Sequence, residues 1–159
     1  VGQPPQRPIL DVHLLLVRDG QILLTQRCGG YAANGWHAPS GKSDAQESIV
    51  DAVVREALEE IGVIVDPDDL RCVHAMHVQH EGEEPRVGFF FEATRWIGKP
   101  ENCEPEKCAA VQWFDLTDLP DGMIPYPAAG IAGYLTGTPF SVFGWSHSTP
   151  LPISRRQAS

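Results

Sequence analysis

"GKSDAQESIVDAVVREALEEIGV", residues 41–63, is the stretch whose reading decides the fold. From 49 to 61 its apolar residues recur with the period of an α-helix. Ile49, Val50, Val53, Val54, Ala57, Leu58 and Ile61 share one half of a wheel at 3.6 residues per turn. Ser48 is placed to cap the N-terminus, with Asp51 three residues on, and Gly62 supplies the C-terminal stop. Beside the apolar stripe, Glu56, Glu59 and Glu60 fall within an arc of about 100°. Arg55 is the one basic residue of this helix, and no lysine occurs between Lys42 and Lys99. A solvated helix face alternates its signs, because like charges four apart repel by a few tenths of a kcal/mol. Converging carboxylates are unfavourable without a cation among them. Hard divalent ions, Mg²⁺ first and Mn²⁺ second, take oxygen ligands of this kind.

Upstream of the helix, ILDVHLLLV (9–17) and QILLTQR (21–27) are predicted strands, joined by a tight turn at Arg18-Asp19-Gly20. CGGYAANGWHAPSG (28–41) reads as a loop, since five of its residues are glycine or proline. Downstream, RCVHAMHVQH (71–80) and RVGFFFEATRW (86–96) form a predicted hairpin around EGEEP, and AVQWFDL (110–116) one more strand. A short second helix is predicted over 128–134. Residues 1–8 read as an N-terminal extension, 9–145 as a single domain, and 146–159 as a flexible tail. Strands and helices in this order suggest a mixed sheet flanked by helices.

The chain of 159 residues is 42% hydrophobic and 21% charged, the balance of one globular core. Its net charge of -9 argues against duplex nucleic acid as a partner, because that binding is carried by Lys and Arg on phosphates. No apolar run reaches the length of about 18 residues that a bilayer span needs, and VGQPPQRP lacks a signal-peptide layout. No membrane partner and a cytoplasmic location are therefore expected, with Cys28, Cys72, Cys103 and Cys108 as reduced, mostly buried thiols.

Residues 41–63 fit G-x5-E-x7-R-E-U-x-E-E-x-G-U throughout, where U is aliphatic. This pattern resembles the Nudix box. Seven positions each demand one residue type, so an accidental match in a chain of this size has odds on the order of one in a million. The RDGQILLTQR hairpin, the GWHAPSG turn and the ENCEPEKCAAVQWFDLTDLP segment are also similar to the family's layout, and the likeness runs from about Leu10 to Trp145.

The resemblance implies a Nudix-like α/β/α sandwich of mixed α+β class, with divalent metal held by Glu56, Glu59 and Glu60 and by the Ser40 backbone carbonyl. It makes Arg55 and Glu47 an ion pair that fixes the loop against the helix. Ser40-Gly41 stands where two glycines are common in the family, and Asp44 and Gln46 where glutamate and glycine are frequent. Glu56 is the first choice as proton acceptor and Glu60 the second. Glu104 or Glu106, from a loop outside the box, are further metal ligands or else part of a solvated loop. For substrate, Arg27 and Lys42 are the candidates for phosphate oxygens, and Trp36, Tyr31 and Phe89 for stacking a base, the alternatives being surface charge and core packing.

Nudix-like enzymes hydrolyse a nucleoside diphosphate linked to another group. The expected reaction is pyrophosphohydrolysis of a nucleoside triphosphate to a monophosphate and pyrophosphate, by a monomer or homodimer. The absence of an evident extra N-terminal domain places ADP-ribose and nucleotide sugars second; a non-catalytic nucleotide-binding module is the reading from another class, disfavoured because every box glutamate is present. Other motifs fail on spacing. In GWHAPSGKS, Gly35 precedes Gly41 by one residue too many for a P-loop. Strand alternation puts His77 on the opposite face from His74 and His80, and Cys103 and Cys108 lack a second pair for zinc.

Overall fold

The computed structural model describes residues 2–146; the expected tail from 147 onward lies outside them. The organising element is β1 (Ile9–Arg18), buried on both faces between residues 11 and 16. A strand covered on both faces needs apolar residues at successive positions, which Leu14-Leu15-Leu16 provide. It turns through Asp19 and Gly20, both at positive φ, into β2 (Gln21–Arg27). That backbone twist matches the twist of the strands it joins. After the short β3 (Trp36–His37) and β4 (Ser40–Lys42) come α1 (Ile49–Ile61), a 3-10 turn at Pro67–Asp69, β5 (Arg71–Val78), β6 (Arg86–Ala93), β7 (Cys108–Asp115), α2 (Pro125–Thr136) and β8 (Phe140–Phe143).

The sheet has eight strands in the order β3-β2-β1-β6-β5-β8, with β4 pairing β1 and β7 pairing β2. β1 runs parallel to β6 from Ile9↔Arg86 to Leu16↔Ala93 and antiparallel to β4, with Asp11 opposite Lys42 and His13 opposite Ser40. Alternation along β1 then divides the core. Val12, Leu14 and Leu16 pack with Ala52, Val53, Ala57 and Ile61 of α1. Leu15 points the other way, into a cluster with Phe90, Met76 and α2's Tyr126 and Ile131. The result is an α/β/α sandwich with a mixed sheet.

α1 has the expected bounds, with Ser48 Oγ accepting the Asp51 N–H and Gly62 closing the helix in the left-handed conformation. Leu58, however, is 54% exposed, being at the rim of the apolar stripe. α2 begins three residues earlier than the sequence suggests and ends two later. Pro125 opens it, where a fixed φ and a missing N–H are tolerated. Its glycines lower helix propensity yet serve packing: a Cβ at Gly130 would overlap the Phe90 ring, and one at Gly133 the His74 ring. β3, β4 and β8 escape sequence patterns because two to four residues are too few to show a period.

The three histidines stand apart. His74 is buried with its ring nitrogens on Thr138 O and Ser141 Oγ, while His77 meets Gln6. All four cysteines are free, but Cys28, Cys72 and Cys103 are exposed, correcting the expectation of burial; they sit on loops or at a strand edge. Among the described residues no helix is long and apolar enough to cross a membrane.

Gly130→Ala separates propensity from packing. An unhindered helical glycine gains up to about 1 kcal/mol on becoming alanine; against Phe90 the change is expected to destabilise by about 1–3 kcal/mol through overpacking, seen as a lower denaturant midpoint at unchanged slope.

Candidate active site

The site begins with the guanidinium of Arg55. Its Nε and Nη2 donate to the two oxygens of Glu47 at 2.7 and 2.9 Å, and Nη2 also donates to Lys42 O at 3.0 Å. Its Nη1 donates to Glu56 Oε1 at 2.8 Å and to Glu59 Oε2 at 3.2 Å. Glu47 in turn accepts the Asp44 N–H at 3.0 Å. A planar fork of donors can hold four groups at fixed angles, which a lysine cannot. The loop from Gly41 to Ser48 is thereby tied to the middle of α1. Arg55 and the Asp44 N–H draw the Glu47 carboxyl down to about 2.

Behind this clamp the loop passes close to the helix. A Cβ at Gly41 would overlap the Glu56 carboxylate, so a larger residue there would displace that side chain from the Arg55 fork. One turn on, Glu60 is largely enclosed, with a single hydrogen bond among the described residues, from the Ser40 N–H to Oε2 at 3.1 Å. Burial, then the neighbouring Glu56 charge, pushes its carboxyl up to about 8. Glu56 is raised as well, chiefly by burial and against the pull of Arg55.

Glu56 keeps one cation, Arg55, whereas no cation is in hydrogen-bond contact with Glu60 among the described residues. The donor set is all oxygen, the chemistry of a hard divalent ion, and the chain's residues fit one. Glu59 is on the same side but half exposed and turned to Arg55. Among the described residues no three acidic, histidine or cysteine side chains already stand as a closed ligand set. Glu56 and Glu59 each meet Arg55 through one oxygen, Oε1 and Oε2 respectively, which leaves the other oxygen of each for an ion.

Glu60 opens into a cavity of about 840 Å³, whose wall includes Ser40, Gly41, Lys42, Arg27, Tyr31 and Glu104. This volume lies within the range of small-molecule sites. Glu104 carries Lys107 Nζ at 3.2 Å and also reaches the cavity, whereas Glu106 is not in its wall. Trp36 packs edge-to-face on Phe114 with centroids 4.9 Å apart, and Phe89 packs against the α1-side core. Neither lines the cavity. Of the aromatic residues proposed to stack a base, Tyr31 alone is in the wall.

The wall also contains residues that sequence reading passed over: Asp11, His13, Arg86 and Tyr126. Arg86 Nη1 donates to Asp11 Oδ1 and Oδ2 at 3.0 and 3.2 Å, and the Tyr126 hydroxyl donates to Asp11 Oδ2 at 3.1 Å. With its proton committed to Asp11, that hydroxyl can only accept from His13 Nε2, 3.0 Å away. His13 Nδ1 is buried and has no hydrogen-bond partner among the described residues. Burial and two neighbouring cationic or ionisable groups, His37 and Arg86, pull its pKa down to about 3. An exception visible in the sequence is the polar pair Asp11 and His13 inside an otherwise apolar strand.

An acidic helix clamped by an arginine fork to a glycine turn, within an α/β/α sandwich, defines a class of metal-assisted diphosphate hydrolases. The NUDIX domain matches residues 7–132, and the chain belongs to this family. It is 31% identical over 67% of its length to an oxidized purine nucleoside triphosphate hydrolase of Danio rerio, of which the match spans 66%. It is 32% identical over 75% of its length to an 8-oxo-dGTP diphosphatase of Haemophilus influenzae, covering 85% of that protein. The crystal structure of a MutT NUDIX hydrolase from Burkholderia pseudomallei superposes with a TM-score of 0.74 at 29% identity, covering 80% of this chain and 98% of that one.

The neutral His13 makes stability depend on pH. Its folded pKa of about 3 lies below the unfolded value of 6.5, so the unfolded chain binds the extra proton and stability falls as pH drops from 6.5 toward 3. By pH 5 this one group is expected to cost about 2 kcal/mol. Denaturant midpoints of the native protein and His13→Phe at pH 7.5 and 5 isolate it: the drop between the two should be smaller in the variant.

Proposed function

We propose that this chain is a divalent-metal-dependent pyrophosphohydrolase of nucleoside triphosphates, releasing a nucleoside monophosphate and pyrophosphate. The observation that carries the reading is Glu60, a carboxylate enclosed in the cavity wall beside Glu56 with no cation in hydrogen-bond contact among the described residues. Glu56, Glu59, Glu60 and the Ser40 carbonyl would hold Mg²⁺ or Mn²⁺, with Glu104 the loop carboxylate in position to join them. Bound by these residues, a divalent ion would supply charge neutralisation of the diphosphate and a lowered pKa for the attacking water.

The chain's own residues supply the rest. Arg27 and Lys42, in the cavity wall, meet the phosphate oxygens. Arg55 holds the loop at the height that Gly41 permits, so Ser40 and Glu60 keep one relative position. Glu60 takes the proton of the attacking water, ahead of Glu56, because Glu60 borders the cavity while Glu56 lies behind Gly41 on the Arg55 fork. Water's oxygen bonds to one phosphorus of the α,β bridge, the bond from that phosphorus to the bridging oxygen breaks, and the bridging oxygen leaves with the other product.

The relatives named as 8-oxo-dGTP diphosphatase and oxidized purine nucleoside triphosphate hydrolase support triphosphates ahead of ADP-ribose and direct the substrate toward an oxidised purine. The test is incubation of the whole chain with Mg²⁺ and dGTP, 8-oxo-dGTP, dATP, ADP-ribose and nucleotide sugars. Monophosphate and pyrophosphate should appear from a purine triphosphate, stop with EDTA, and fall about 10²–10⁴-fold in Glu60→Gln. Cleavage of none of them, or full activity of Glu60→Gln, would reject the proposal.

A further inference from the structure

Between α1 and β7 the chain brings one carboxylate, Glu104, into the cavity from outside the helix. The start of this segment is fixed to the end of α1. The carbonyls of Glu60 and Ile61 have no partner within the helix; they accept the N–H groups of Cys103 and Glu101, each at 3.0 Å. The residue before Glu104 is thus bonded to the backbone of Glu60 itself. At its other end the segment enters β7, where Cys108 pairs with Arg27 and the Lys107 carbonyl accepts the Cys28 N–H at 2.9 Å. It therefore runs from the residue that carries one cavity carboxylate to the strand pair that carries a cavity cation.

One side chain closes this loop from within. Asn102 Oδ1 accepts the Glu104 N–H at 3.2 Å, and its Nδ2 donates to Cys108 O at 2.7 Å. The partners fix which way the amide faces, since a carbonyl requires a donor and an N–H an acceptor. The first bond is the local turn that asparagine forms in many loops. Turn chemistry does not require the second, which reaches across the loop to the first residue of β7. The Glu104 carbonyl adds to the closure by accepting the N–H groups of Lys107 and Cys108, both at 2.9 Å. Asn102 and Glu104 are half-buried, whereas Glu101, Cys103, Pro105 and Glu106 around them are exposed. Glu104 gives one oxygen, Oε1, to Lys107 and keeps the other without a partner among the described residues.

We propose that Asn102 is a positioning residue that, by tying Glu104 to β7, holds this carboxylate in the cavity wall with Glu60 and so completes the oxygen donors for a divalent ion. The inference rests on the metal reading above and deepens it. A flexible loop would have to be ordered each time an ion bound, whereas one closed by Asn102 presents its carboxylate in advance.

The test is calorimetric binding of Mn²⁺ to the whole chain without nucleotide, in the native protein, Asn102→Ala, Glu104→Gln and the double variant. Asn102→Ala is expected to weaken binding about tenfold, the loss seen when a residue that orients a ligand is removed. Glu104→Gln, which takes away the carboxylate itself, is expected to weaken it by at least as much. In the Glu104→Gln background the Asn102 change should then cost less than about twofold, because its effect passes through Glu104. A merely structural role would lower the affinity equally in both backgrounds. Native-like affinity in Asn102→Ala, native-like affinity in Glu104→Gln, or a full further loss in the double variant would overturn the proposal. If Mn²⁺ binds with this coupling yet no triphosphate is cleaved, the role of Asn102 stands and the hydrolase reading falls. If triphosphates are cleaved while Asn102→Ala binds Mn²⁺ as the native chain does, the hydrolase reading stands and the proposal falls. A native chain that binds no Mn²⁺ overturns both.

Discussion

The Arg55 guanidinium is the interaction on which the rest of the site depends. It gathers three carboxylates and a backbone carbonyl, from Glu47, Glu56, Glu59 and Lys42, around one planar cation. Without it the glycine turn would have no fixed height above α1, and Glu56 and Glu60 would repel each other with nothing to oppose them. The close approach at Gly41 and the fork at Arg55 are complementary constraints: one permits contact and the other enforces it. What remains uncompensated after both is Glu60, whose carboxyl burial and the Glu56 charge push up.

The helical half of the site was legible because its signals are local. Apolar period, Ser48, Gly62 and the unneutralised glutamates all lie within one run of sequence, and the structure places α1 over the same residues. The longer strands were legible for the same reason, to within a few residues at their ends. The parts that were not legible depend on pairing across the chain. β3 and β4 exist because β2 and β1 offer them open edges, a fact no window of a few residues contains. Trp36 and Phe89 have the composition of base-stacking residues, and only the tertiary placement shows them in packing. Asp11 and His13 were visible as polar residues inside an apolar strand, but their partners are more than seventy residues away at Arg86 and Tyr126.

The cavity therefore has two ends of different character. Near Glu60, Arg27 and Lys42 its wall carries charges of both signs. Around Asp11 and His13 it is enclosed and sparing in polar groups, each held in orientation by a neighbour. Water-exposed charge favours attraction without selectivity, whereas enclosed hydrogen-bonding groups select by leaving a wrong ligand unpaired.

A single strand, β1, joins these two ends. Its residues 11 to 13 pair with the turn that positions Glu60, while the side chains of Asp11 and His13 form the enclosed wall. The strand thus acts as a ruler graduated in residues. Because side chains alternate with a period of two, displacing β1 by one residue against β4 and β6 would send Val12 into the wall and Asp11 and His13 into the apolar layer under α1. An insertion or deletion inside this segment would break that alignment, and the spacing between the two ends of the cavity is set by backbone geometry that side-chain substitution cannot adjust.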